Sequence, residues 1–225
     1  SMKRIYLSFP LGEKTPLFRD NPPVKTWPQF STDVGDVFNQ SFLLTINHNG
    51  THIDGPKHFD PGGLSLWELP PESFVFDNIA IIDIPKQDDE LITAEDLKSY
   101  PRELEVCDLV IFRTGFGPLR FKDPFRFGWH NPGYARSAGE LLMEHPNIKA
   151  IGMDLPSAAG AQNLDEGIAF HQVVLGKGRS DGQAILIIED MNIDQDLEGL
   201  ERVYALPLLI RGLDSGPCTI VGEFR

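Results

Sequence analysis

Read for the spacing of its apolar positions, the chain alternates short strand-like runs with proline-rich loops and a few helical stretches. Residues 4–9 predict a first strand. It leads into a segment, 10–27, in which Pro16, Pro22 and Pro23 block regular structure. Residues 41–47, 78–84, 109–115, 148–153 and 184–188 carry the apolar and β-branched runs of strands. Residues 203–210 and 218–222 close the chain as two more strands, with 213–217 as their hairpin-like link. Helices are predicted after Thr93 as N-cap, over 135–144 before His145-Pro146, and over 166–175 between Asp165 and Gly176. Residues 116–132 are aromatic and basic without clean periodicity and predict an excursion over the surface.

Strands outnumber helices, and neither an internal repeat nor a linker interrupts them, so the pattern predicts one α/β domain over residues 1–225. Hydrophobic content of 41% and charged content of 24% are ordinary for a globular chain able to bury a substantial core. A formal charge of −13 argues against nucleic acid or an anionic membrane as partner. No apolar run has the length of a bilayer span and no signal-peptide pattern opens the chain. Ser1 before Met2 reads as a tag remnant. Cys107 and Cys218 are too few and too far apart for a disulfide framework, which predicts buried thiols and a cytoplasmic setting.

The chemistry concentrates in residues 48–59, HNGTHIDGPKHF, where three of the six histidines stand with Asp54. If the strand at 41–47 runs on, residues two apart share a face. His48, His52 and Asp54 then project together, and Gly50 leaves a gap for an ion. The turn at Gly55-Pro56 limits that argument to Asp54. Imidazole and carboxylate without thiolate suit zinc, manganese or iron(II), and three protein ligands leave a coordination position open, as hydrolytic sites require. A strand with satisfied histidines and a turn carboxylate is the alternative.

The run H-x-G-T-H-x-D-x-P-x-H-F resembles the signature of the cyclase family of metal-dependent hydrolases, which includes bacterial kynurenine formamidase and isatin hydrolase. Leu7-Ser8-x-Pro10-Leu11, Asp20-x-Pro22-Pro23, residues 64–71, Arg113-Thr114-Gly115 and Gly152-x-Asp154-x-x-Ser157 resemble further pieces of it. The resemblance implies a swivelling β/β/α-type fold with a barrel-like mixed sheet. It also implies two divalent ions per chain, zinc ahead of manganese. His48, His52 and Asp54 would hold the first, with Asp54 bridging to a second held by His171 and Glu189. The spacer between those two residues is longer than in typical kynurenine formamidases. His58 is implied as the general base and then acid, or else as another ligand. Phe18 stands where kynurenine formamidases carry a substrate-touching tryptophan, or else packs its loop onto the core. Arg19 adds a cation there, which suits a compact anionic substrate. Asp154 orients a ligand imidazole or ends a strand. Arg113 holds a carboxylate of the metal shell or caps the core.

The implied function is metal-dependent hydrolysis of a C–N bond in a small-molecule amide, formamide or lactam. The implied assembly is a homo-oligomer in which the 10–27 loop completes a neighbour's pocket. A cyclase or dehydratase acting on a polyketide-like substrate, and a non-catalytic metal-binding protein, are the competing readings.

Overall fold

The computed structural model describes residues 2–225; Ser1 lies outside them, and with it the tag remnant. In chain order come β1 (Lys3–Tyr6), β2 (Lys25–Phe30), β3 (Gln40–Leu44), β4 (His52–Asp54), β5 (Val75–Phe76), β6 (Ile79–Asp83) and β7 (Leu91–Ile92). Two short helices follow, α1 (Ala94–Leu97) and α2 (Pro101–Val106). The middle of the chain holds β8 (Leu109–Arg113), α3 (Leu119–Lys122), α4 (Pro124–Trp129), β9 (Gly133–Tyr134), α5 (Arg136–Leu142) and β10 (Ala150–Met153). It ends with α6 (Leu164–Val174), β11 (Leu186–Glu189), β12 (Leu200–Pro207) and β13 (Ser215–Phe224).

One mixed sheet organises these elements, in the order β5-β12-β13-β4-β11-β10-β8-β6, with β1 also on β13. The strands β11, β10, β8 and β6 run parallel, and β4, β13, β12 and β5 are joined by antiparallel pairs. Only Asp77 and Asn78 separate β5 on one edge from β6 on the other, so the chain itself ties the edges together and the sheet nearly closes. This is the α/β, barrel-like architecture that the resemblance implies.

Alternation along the parallel strands divides the core into two layers. Ile82, Val110, Phe112, Ile151, Met153 and Ile187 face the helices, where Phe170 and Val174 of α6 meet them. Leu109, Ile111, Ala150, Leu186 and Ile188 point to the opposite side and pack with Ile53, Val203 and Ile220. Strands buried on both faces need continuous apolar runs, which is why these segments were readable from sequence.

The strand expected over 203–210 is β12, ending at Pro207, β13 begins at Ser215 inside the link expected over 213–217, α2 was not expected, and three larger departures follow. The strand expected over 41–47 stops at Leu44 and does not continue to His48. Residues 116–132 contain α3 and α4, the second capped by Asp123, whose side chain accepts the Arg126 N–H. Residues 25–44 form a hairpin whose strands pair only with each other and whose every strand residue is exposed.

Candidate metal centre

The centre is built around β4, which lies between β11 and β13. Pairing places Glu189 opposite His52 and Ser215 opposite Asp54. Residues directly opposite in an antiparallel pair share a face, so Glu189 and His52 meet while Ile53 turns into the core. His52 and Asp54 share a face as the parity argument requires, but His48 arrives differently. The segment after β3 turns through residues 45–51, with Gly50 at φ +65°. That conformation favours glycine, and the Gly50 carbonyl accepts a hydrogen bond from His52 Nδ1 at 2.7 Å. A Cβ at Gly50 would meet Leu11 and Thr15 side chains at 3.0 and 3.3 Å, so the glycine serves the turn and leaves no gap for an ion.

Six predicted residues converge here: His48, His52, Asp54, His58, His171 and Glu189. Asp54 Oδ1 lies 3.0 Å from His48 Nδ1 and 3.4 Å from His52 Nε2. Its other oxygen, Oδ2, lies 3.4 Å from His171 Nε2 and 3.9 Å from His58 Nε2. Glu189 spans both sides, with Oε2 at 2.7 Å from His52 Nε2 and Oε1 at 3.5 Å from His171 Nε2. Glu189 Oε1 also accepts the Ala158 N–H at 2.7 Å. His171 reaches the cluster from α6, donating Nδ1–H to the Gly167 carbonyl one turn earlier at 2.7 Å. His58 sits in a short 3-10 turn after β4 (Pro56–His58) and packs against Phe59, which also lies against His171.

His52 Nε2 and both oxygens of Asp54 are buried without a hydrogen-bond partner among the described residues. The close approach of His52 to Glu189 is not aligned as a hydrogen bond, so proximity there does not satisfy either group. Orphaned buried polar atoms are costly, and three of them facing a common space are what a cation would satisfy. The available donor set is imidazole nitrogen and carboxylate oxygen, which fits a hard or borderline divalent ion.

The electrostatics have the same sign. Burial opposes charging of His171, but the nearby Asp54 and Glu189 carboxylates outweigh it and raise its pKa to about 10. For His48, burial is likewise outweighed by Asp54 and Asp214, raising it to about 9. Burial pushes Asp54 upward, yet the surrounding imidazoles hold it well below the carboxylate range. The site therefore favours positive charge, whether protons or metal.

Asp214 was missed in the sequence, where residues 213–217 read only as a link. Its carboxylate lies 2.8 Å from His48 Nε2 and 2.9 Å from His58 Nδ1. Burial raises its pKa, but the two imidazoles beside it prevail and hold it well below the ordinary range.

Other residues lie outside the cluster. Asp154 accepts from the Thr114 N–H and hydroxyl and from the Gly115 N–H, which closes the end of a strand and orients no imidazole. Arg113 pairs with Asp83 and donates to the Gln195 carbonyl, away from the metal shell. His130 pairs with Asp89. Phe18 is half-buried, and the adjoining backbone docks on α4 through the Arg19 N–H to the Gly128 carbonyl. The Arg19 guanidinium donates to the Ala161 carbonyl and lies over Trp129, so its charge is committed to the scaffold.

The Cyclase family profile matches residues 5–159, which includes His48 to His58 and stops short of His171 and Glu189. A kynurenine formamidase of Bacillus cereus is 27% identical over 217 residues, 96% of this chain and 95% of that protein. A solved structure from Bacillus stearothermophilus, described as a predicted metal-dependent hydrolase, is 25% identical, covers both chains fully and superposes with a TM-score of 0.75. Isatin hydrolase A of Labrenzia aggregata shares the fold at a TM-score of 0.81 and 21% identity, over 99% of this chain and 94% of that one. With a profile match over more than half its length and a matching fold, this chain belongs to the Cyclase family.

Proposed function

We propose that this protein is a metal-dependent hydrolase of C–N bonds in small amides, formamides or lactams, acting through one catalytic domain. The observation that carries the reading is the set of unpaired buried atoms on His52 and Asp54, surrounded by further imidazole and carboxylate donors. The kynurenine formamidase relative, aligned over almost the whole of both chains, supports the amide class.

His48 and His52 would hold one ion on the Oδ1 side of Asp54. His171, Asp54 and Glu189 would hold a second. Zinc is the first choice and manganese the second on this donor set. When bound, such ions supply Lewis acidity that polarises an amide carbonyl and lowers the pKa of water. His58 then moves the proton. Its Nδ1 faces Asp214 and its Nε2 faces the centre, so Nε2 takes a proton from the attacking water. The water oxygen bonds to the carbonyl carbon, the C–N bond breaks, and Nε2 returns the proton to the leaving nitrogen. A carboxylic acid and an amine result. An imidazole suits both transfers because one ring nitrogen can accept a proton and return it while the other keeps its own. Phe59 supplies an apolar wall beside His58 and His171. Phe18 is assigned a second wall on the strength of its position in the family pattern and its partial burial.

The assembly proposed is a homo-oligomer. A lone two-stranded hairpin is marginal in water, and this one leaves Trp27, Phe30, Phe42, Leu43 and Leu44 exposed. A second copy covering the hairpin would remove that apolar surface from solvent. Two buried free thiols fit a reducing compartment, and the cytoplasm is the proposed location.

A metal-defined screen against formamides, cyclic imides and lactams, read by product mass, tests the activity. Uptake of one water with cleavage of the C–N bond is expected, as ring opening for imides and lactams and as amine release for formamides. A product that has lost water with no amine released would favour a cyclase or dehydratase and overturn the reading.

A further inference from the structure

We infer that Asp214 is a positioning residue that sets which ring nitrogen His48 and His58 each present to the centre. The inference rests on the hydrolase reading above for its consequence in turnover, but not for its geometry.

Its Oδ2 accepts from His48 Nε2 at 2.8 Å and from the Ser215 hydroxyl at 2.9 Å, and it lies 2.9 Å from His58 Nδ1. Its Oδ1 accepts from Asn47 Nδ2 at 2.7 Å. An ionised carboxylate only accepts, so both imidazole nitrogens facing it carry protons. With an ion in place of its second proton, His48 keeps one N–H and a lone pair on Nδ1, and a neutral His58 has its lone pair on Nε2. Those are the atoms that face Asp54, at 3.0 and 3.9 Å. The two rings lie 4.2 Å apart between centroids, drawn together by the shared carboxylate.

The other two imidazoles of the centre are set by backbone. His52 and His171 both donate Nδ1–H to carbonyls, of Gly50 and Gly167, and present Nε2. His48 is the exception that presents Nδ1, and no backbone carbonyl among the described residues fixes it. One carboxylate thus holds two imidazoles in opposite tautomers, one toward the proposed ion and one toward the proton to be moved. Partners of this kind orient metal ligands and raise their basicity.

The backbone holds Asp214 firmly enough for this role. It precedes β13, whose Ser215 is opposite Asp54. Its carbonyl accepts the Gly55 N–H at 3.1 Å, and a Cβ on Gly55 would stand 2.6 Å from that oxygen. Glycine at 55 therefore permits the close approach that brings the aspartate over His58.

The test is long-range 1H–15N correlation NMR on zinc-loaded protein labelled with 15N-histidine. The wild-type protein alone decides the geometry: His48 should show zinc on Nδ1 with a proton on Nε2, and His58 a proton on Nδ1. A proton on His58 Nε2, or zinc on His48 Nε2, overturns the inference. Asp214→Asn presents a donor as well as an acceptor, so it should disturb at least one of those patterns and weaken zinc binding by roughly 10–100-fold. Asp214→Glu should restore part of both. An Asn variant with the wild-type nitrogen pattern and zinc affinity would also overturn it. Absence of amide turnover in a protein that shows the expected nitrogen pattern would count against the hydrolase reading and leave the role of Asp214 standing.

Discussion

Glu189→Gln separates the charge of one proposed ligand from its shape. Glu189 Oε1 accepts the Ala158 N–H at 2.7 Å, and Oε2 lies 2.7 Å from His52 Nε2. A glutamine keeps an oxygen for Ala158 and turns an amide donor toward His52. In the metal-free protein His52 and His171 are held charged by the carboxylates around them, so the variant loses a buried counter-charge, and its metal-free form should be about 3–5 kcal/mol less stable than the parent. Metal binding should suffer as well. Removing groups merely outside a ligand set costs about 10–100-fold in affinity, so losing a buried carboxylate ligand should cost roughly 100-fold or more. At saturating metal that is about 2.7 kcal/mol less stabilisation. A chain of this size shifts by roughly 2–4 °C per kcal/mol, so the metal-induced rise in Tm should shrink by roughly 5–11 °C. Calorimetry of metal-free and zinc-loaded protein measures both quantities on one sample. Asp83→Asn is the control: that carboxylate pairs with Arg113 at the surface, far less buried than Glu189, and should leave the metal-induced shift intact. A Gln variant that gains as much from zinc as the parent would refute the ligand assignment.

His58→Ala should retain metal while losing turnover by roughly a hundred- to ten-thousandfold; loss of metal together with activity, by elemental analysis, would make it a ligand. Stability of the metal-free protein should fall as pH rises from about 6.5 towards 9 and 10. His48 and His171 have raised pKa values in the folded state, so the stabilisation they give is fully present below their unfolded values and is lost as each deprotonates. Urea melts that stay level across that window would contradict the electrostatics described. Metal affinity should rise over the same range, because ions replace protons on the imidazoles. Phe18→Ala should raise KM with Tm nearly unchanged, and an unaltered KM would return Phe18 to loop packing.

What the sequence disclosed depended on range. The buried strands at 79–83, 109–113 and 186–189 were visible because a strand covered on both faces leaves an unbroken apolar run. The donors at 48, 52 and 54 were visible because they sit close together in the chain. How His48 reaches them was not, since it depends on a turn at Gly50 and not on a continued strand. Asp214 lies 166 residues from His48, and only the pairing of β13 with β4 brings it there. A single carboxylate in a turn carries no local signal for such a role. His171 looked like an ordinary helix-face residue, and only the family pattern linked it to Glu189. The hairpin at 25–44 was obscured by Pro28, by polar residues within its strands and by the long connection between them. The helices α3 and α4 are too short for a period to show.

Titration of metal-free protein with zinc, following amide hydrolysis and bound metal together, tests the central claim most directly. Hydrolysis should be absent without metal, appear as metal binds, and level off at two ions per chain. Full activity in the chelated protein, or a protein that binds no metal at micromolar concentration, would contradict the account.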